Sequence, residues 1–341
     1  MFDIIFVLIG TFVGAGFASG KEIFNFFTIF NLYSFVSIFV FSLLLFFLIF
    51  KCINIKKNNN LNSYSDFLLY LEKKYKYFNS KFFLFIINIF LASSFYIMII
   101  ALAALFNYQF NIEKYIVVFI SIFICFNIFY NKNIDFIYII NRILMPILIL
   151  FMLLLCYFNI NIDNIFSVSL TTNNYSILYA ITTGLIYFSY NSLLLIPIVF
   201  DLKINYNKSN ISFKISFIYS LIIFILIFFI NLLLLCFYSS IYNIELPILY
   251  ICNNSLKIFL YFYFFIVLSA IFTTMISSGY TFVNNFKEKN YTLKLLIFLL
   301  FSFIFCFFSF SDLINFFYPI FGIIGFIQIF LILFNRYWKF A

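Results

Sequence analysis

Long apolar runs, broken by short clusters of lysine and asparagine, set the pattern of this chain. A helix that crosses a bilayer needs about 20 mostly apolar residues. Cutting the sequence at its charged and asparagine-rich interruptions predicts ten spans: residues 4–29, 32–50, 82–107, 115–130, 134–158, 176–200, 215–239, 256–279, 292–310 and 314–335. The expected fold class is an all-α polytopic membrane protein, one integral membrane domain over residues 1–341. The connection 51–81 carries an amphipathic pattern of its own. Ser65 or Asp66 is expected to cap a short helix with Phe67, Leu68, Leu71 and Tyr75 on one face and Glu72, Lys73, Lys74 and Lys76 on the other. That pattern fits an interfacial helix lying on anionic headgroups. Docking of a partner is the other use it allows.

The basic residues divide unevenly between the connections. Sixteen of the twenty lie after the even-numbered spans or at the C-terminal end, seven of them (Lys51, Lys56, Lys57, Lys73, Lys74, Lys76 and Lys81) between spans two and three. Only Lys114 and Lys257 fall on the other side, while Lys21 and Arg142 lie inside spans. The positive-inside rule then puts both termini in the cytoplasm of a cell with this protein in its inner membrane. The net charge of +9 is thus read as a topology label, not as a nucleic-acid surface. The first apolar run has no basic leader and no small-residue cleavage site, so it is expected to remain as a helix.

Composition sharpens the class. Hydrophobic residues make up 66% of the chain and charged residues 9%, against about 45–50% and about 25% in soluble domains. Lipid must therefore be the solvent for most of the surface. With no histidine, histidine metal sites, histidine bases and HExxH proteases are excluded. The six cysteines form no CxxC pair. No paired carboxylates share a depth, so neither an enzyme nor a cofactor is expected.

Glycine is scarce, with eight in the chain, yet Gly10, Gly14, Gly16 and Gly20 fall within GTFVGAGFASGKE at residues 10–22. Two readings compete. Gly10/Gly14 and Gly16/Gly20 are each GxxxG, which permits close helix packing. Alternatively the helix is broken, which hydrocarbon tolerates only where the bare backbone lines a cavity. Lys21 and Glu22 tip the balance, because intramembrane charges cost about 2.5–3.5 kcal/mol each and need partners or water. Packing alone does not call for them. A dinucleotide fingerprint is excluded by spacing and context.

If ten spans form two repeats, about 1–158 and 176–335, the odd count of five inverts the second. Span six is then the partner of span one, and a second break is expected around Thr182, Thr183, Gly184, Ser189, Tyr190, Asn191 and Ser192. Hydroxyls on span three (Ser93, Ser94, Tyr96) and span eight (Thr273, Thr274, Ser277, Ser278) suit either a small cation such as Na⁺ or ordinary interhelical hydrogen bonds.

GTFVGAGFASGKEIFNFF closely resembles the first helix of the YkvI-type bacterial membrane proteins, with their GxGFASGxE pattern. These are grouped as transporters with the amino acid–polyamine–organocation superfamily. The resemblance covers some eighteen residues. It implies the LeuT-type fold, five plus five inverted, with substrate between helices one, three, six and eight. It places the unwound segments at Gly14–Gly20 and about Gly184–Asn191, and a cation site at the Ala15 and Gly16 carbonyls with Thr274, Ser277 or Ser278. Sodium-independent members instead put a basic side chain from helix five there, and Arg142 lies about eight residues into span five.

The expectation is a secondary transporter of a small solute, an amino acid or related organic ion, by alternating access. A receptor that binds such a solute without moving it is the alternative. Gly14, Ala15, Gly16, Ser19, Gly20, Thr183, Gly184 and Asn191 would line the solute site, with Phe17, Tyr96, Tyr187 and Tyr190 gating it. Glu22 either faces this cavity and couples transport or is neutralised near the mouth by Lys21. Arg142 either fills the cation space as a fixed charge or snorkels to headgroups. The coupling ion is accordingly Na⁺ or a proton.

Overall fold

The computed structural model describes residues 2–75, 78–131, 135–160, 175–202, 204, 210–254, 257–283 and 290–333. Every regular element among them is helical. The first predicted span is in pieces: α1 (Phe2–Phe12), α2 (Ala15–Ser19), α3 (Lys21–Phe26) and a 3-10 turn over Thr28–Phe30. Then follow α4 (Tyr33–Asn58), α5 (Tyr64–Lys74), α6 (Ser80–Phe110), α7 (Lys114–Asn131) and α8 (Asp135–Asn159). The rest are α9 (Ile177–Asp201), α10 (Ile211–Cys236), α11 (Tyr238–Ile241), α12 (Pro247–Asn254), α13 (Lys257–Val283), α14 (Tyr291–Leu300), α15 (Ser302–Phe305) and α16 (Phe310–Leu333). Among the described residues seven helices are long and apolar enough to cross a membrane: α4, α6, α7, α9, α10, α13 and α16. Their outward faces carry exposed side chains such as Phe39, Phe119, Phe123, Phe265 and Phe330, which water would not tolerate in such number. This is a polytopic helical membrane protein.

α9 is the central strut, packed along α4 and α16. Two glycines make the second contact close. A Cβ on Gly322 would run into the α9 backbone at Ile186, and one on Gly325 into that at Ser189. The Ser189 hydroxyl donates to the Gly322 carbonyl at 2.5 Å across the same seam.

α9 corrects one expectation: it is a continuous helix through Gly184–Asn191, not a broken one. Its polar residues turn back onto their own helix. Asn191 Nδ2 donates to the Tyr187 carbonyl at 2.9 Å and Ser192 Oγ to the Ser189 carbonyl at 2.6 Å. These bonds supplement the backbone ladder instead of competing with it. Gly184 serves packing, since a Cβ there would strike the Ser37 hydroxyl.

α5 corrects another. Its cap is Ser63, not Ser65 or Asp66, and Asp66 completes a capping box from the third helical position. Hydrogen bonds from Ser63 and the Asn62 amide hold the Asp66 carboxyl below the usual carboxylate range. The apolar face does not lie on lipid: Tyr64, Phe67, Leu68 and Leu71 are buried inside the protein. Phe67 stacks on Phe200 near the end of α9 at 4.0 Å between ring centres. The Tyr64 amide donates to Asp201 Oδ1 at 2.8 Å, and Gln328 Nε2 on α16 donates to the Tyr64 hydroxyl at 2.7 Å.

Two lysines of α4 act at the same end of the bundle. Lys56 Nζ donates to the carbonyls of Phe200, at 2.5 Å, and Leu202; Lys51 Nζ donates to that of Leu333. Lys56 thereby satisfies orphan carbonyls at the C-terminus of α9, where the helix dipole favours a cation. Truncating Phe67 to Ala should cost about 3–5 kcal/mol as a large buried ring is lost. Thermal melting of the detergent-solubilised protein should show the drop for Phe67→Ala and none for Lys73→Gln on the exposed face.

Candidate functional site

The first span breaks where its glycines lie. α1 ends at Phe12, Gly14 is extended (φ −92°, ψ −171°), and α2 is little more than one turn. Gly20 then takes φ +81°, the left-handed region, before α3 begins. Only glycine adopts that conformation without strain. Space is short as well, because a Cβ on Gly20 would meet the Ile248 side chain. Gly14, by contrast, has ordinary room for a methyl group, with Met98 Cε at 3.8 Å and Thr274 Cγ2 at 4.0 Å. Close helix packing is thus not what Gly14 serves.

Gly16 has a different duty. The Glu22 carboxyl folds back over it, so a Cβ at that position would collide with the carboxyl group itself. Glu22 is 3% exposed. Its Oε2 accepts from the Tyr187 hydroxyl of α9 and its Oε1 from the Tyr318 hydroxyl of α16, each at 2.7 Å. Three separate helices therefore meet at one ionisable group. Around it stand rings: Phe26 and Phe41 lie 5.1 and 5.4 Å from Tyr187, with Phe12 and Phe27 edge-on, and Tyr190 stacks on Tyr318 at 3.9 Å. In so apolar a surrounding a polar group left without its hydrogen-bond partner costs about 1–3 kcal/mol.

Lys21 does not neutralise Glu22. Its ammonium turns away, donating to the Ile244 carbonyl at 2.9 Å and lying 5.5 Å from the Phe24 ring centre. Adjacent residues on a helix point about 100° apart, which sends the two charges to different places.

Of the predicted site residues, Gly16, Glu22, Tyr187 and Tyr190 come together here. Phe17 is fully buried and packs edge-on against Phe12 at 5.4 Å. Ser19 is used locally, donating to the Gly16 carbonyl at 3.0 Å and accepting from the Lys21 amide. The Gly14 carbonyl accepts from the Ala18 amide at 2.9 Å. The Gly14 and Gly16 carbonyls thus have donors. Thr183 Oγ1 reaches the Phe26 carbonyl at 3.2 Å and so ties α9 to the end of α3.

Tyr96 is a correction. It faces the other way, its hydroxyl donating to the Phe298 carbonyl and its ring stacked on Phe305 at 4.6 Å. Of the expected cation set, Thr274 lies beside the first span, its Cγ2 4.0 Å from where a Cβ on Gly14 would stand. Thr274 and Ser278 donate to carbonyls of their own helix, at Ala270 (2.7 Å) and Thr274 (2.8 Å), and Ser277 is exposed. Ala15 opens α2, but its side chain, like that of Arg142, lies outside the described residues. Among the described residues no group of three or more His, Cys, Asp or Glu could hold a metal ion.

Tyr318 is the participant that sequence reasoning missed. In a chain with 26 tyrosines it carries no signal of its own. The one hint is its neighbourhood, YPIFGIIG at 318–325, which holds two of the eight glycines and one of the four prolines.

No protein-family model matches the chain, and no curated protein does. The resemblance of the first span thus stands on its own eighteen residues.

The geometry separates two neighbouring glycines. Gly14→Ala should fold and melt like the parent, whereas Gly16→Ala should lower the melting temperature and the monodisperse yield. Tyr318→Phe, which takes one donor from the buried carboxyl, should cost about 1–3 kcal/mol. Equal melting of Gly14→Ala and Gly16→Ala would contradict the seat assigned to Glu22.

Proposed function

We propose that the chain is a secondary transporter of a small zwitterionic or organic solute, an amino acid, working by alternating access. One observation carries this reading: a discontinuous first span delivers a buried carboxyl, Glu22, onto hydroxyls of two other membrane-type helices. An ionisable group inside a membrane bundle marks a functional pathway by default. A broken helix beside it is the usual architecture of a transporter's midplane site.

Further support comes from the arrangement of helices. In this reading the broken first span, α8 and the pair α14–α15 count as spans beside the seven long helices. Divided into two sets of five, corresponding members pack on each other: α1 with α9, α4 with α10, α6 with α13, and α7 with α14. Such pairing suits an inverted repeat of the LeuT type, although the second broken helix of that fold is absent in α9. The charge distribution favours an inner-membrane protein with both termini in the cytoplasm. A receptor role gains nothing from α5, whose apolar face is used inside the chain.

The test is counterflow of labelled amino acids in proteoliposomes. The parent should exchange at least one of a broad panel, and Glu22→Gln should slow exchange by an order of magnitude or more while remaining folded. Saturable binding with no flux for any solute would favour the receptor.

A further inference from the structure

We propose that the corner where α4, α5 and α16 meet binds one anionic phospholipid, with the lipid phosphate held between Lys51 and Lys74. The proposal is independent of the transporter reading. The two lysines come from different helices, and the fold brings them together. The Lys51 ammonium donates to the Leu333 carbonyl at the end of α16. Lys74 closes α5, its ammonium 3.5 Å from the Tyr70 hydroxyl and 5.7 Å from the centre of that ring. The next residue, Tyr75, donates its hydroxyl to the Leu331 carbonyl at 3.3 Å and so pins this end of α5 against α16. Lys51 and Lys74 thereby lie within electrostatic reach of each other. Like charges so placed repel, and a phosphate shared by both turns the repulsion into charge-assisted hydrogen bonds. The carboxylate nearest in the last turns of α5, Glu72, is turned to the Ser80 hydroxyl, which donates to it.

What lies one helical turn from the lysine contacts decides between a lipid and a soluble phosphate. Phe47 precedes Lys51 on the same face of α4, and Phe330 lies one turn back from Leu333 on α16. Both rings are exposed, and both helices are long and apolar enough to cross a membrane. A phospholipid presents the same order, a phosphate at the polar edge and acyl chains a turn deeper. A soluble phosphate would have no use for the rings. Basic side chains gathered at the end of a helical bundle are suited to anionic headgroups for this reason. α5 then meets lipid through the last turn of its charged face, while its apolar face stays buried in the protein.

Native mass spectrometry of the detergent-solubilised full chain reads the affinity for single lipids. The probes are dioleoyl phosphatidylglycerol, dioleoyl phosphatidylcholine and glycerophosphoglycerol, the first lipid's headgroup without its chains. Phosphatidylglycerol should bind at least about fivefold more tightly than phosphatidylcholine. Lys51→Gln and Lys74→Gln should each weaken it by about fivefold, whereas Lys51→Arg should retain it. Lys57→Gln and Lys214→Gln, at other exposed lysines, should leave it unchanged. Lys74 is exposed, so its variant keeps the test alive if Lys51→Gln, which gives up the contact to Leu333, does not fold. Equal affinity for the two lipids, or parental affinity in Lys74→Gln, would overturn the site. An equal loss in all four glutamine variants would replace it with diffuse attraction to charge. Competition by glycerophosphoglycerol at concentrations equal to the lipid's would assign the corner to soluble phosphates and overturn the lipid.

Discussion

A carboxyl shut away from water has to find its hydrogen-bond donors within the protein, and Glu22 finds them on two helices distant in sequence. Much of the surrounding structure follows from that need. The chain turns at Gly20 so that α3 can present Glu22, and Gly16 clears the space into which the carboxyl folds. Tyr187 arrives on α9. Tyr318 can join it because Gly322 and Gly325 let α16 press against the α9 backbone. Four of the eight glycines thus serve one buried group. The rings around Tyr187 exclude water and make those bonds stronger than they would be at a surface.

The helical, membrane-embedded class is legible in the apolar runs, because span length and composition are properties of local sequence. The break in the first span is legible too, since a continuous helix in hydrocarbon has no use for clustered glycines followed by two charges. What cannot be read from the sequence is direction. Lys21 and Glu22 look like a pair on paper, and only the turn of α3 sends them to different partners. The polar cluster of α9 reads as a second break, but Asn191 and Ser192 bond back along an intact helix, and propensity does not foretell which option tertiary packing selects. α5 shows the same ambiguity. An amphipathic helix must cover its apolar face with something, and its pattern reads the same whether the cover is lipid or, as here, Phe200.

The lysines of α4 illustrate how one residue type answers two demands. Their number between the second and third predicted spans is what the positive-inside rule takes as the sign of a cytoplasmic side. Lys56 also closes the carbonyl end of α9, a terminus that needs donors, and Lys51 reaches the Leu333 carbonyl of α16.

That closure has a mechanical consequence. Tyr187 and Phe200 are thirteen residues apart, and Tyr318 and Leu333 fifteen, so the tyrosine and lysine contacts on each helix stand about 20 Å apart at 1.5 Å per residue. α9 and α16 are fastened to each other at the glycine contacts, which on α9 flank Tyr187, and to neighbours at both levels. Two rods joined in this way resist shear and bend poorly, so they behave as a plate. Any large movement in this molecule must then rock the plate as one body or move the jointed first span across it. The joints available for that second motion are Gly14 and Gly20, one on each side of the short α2.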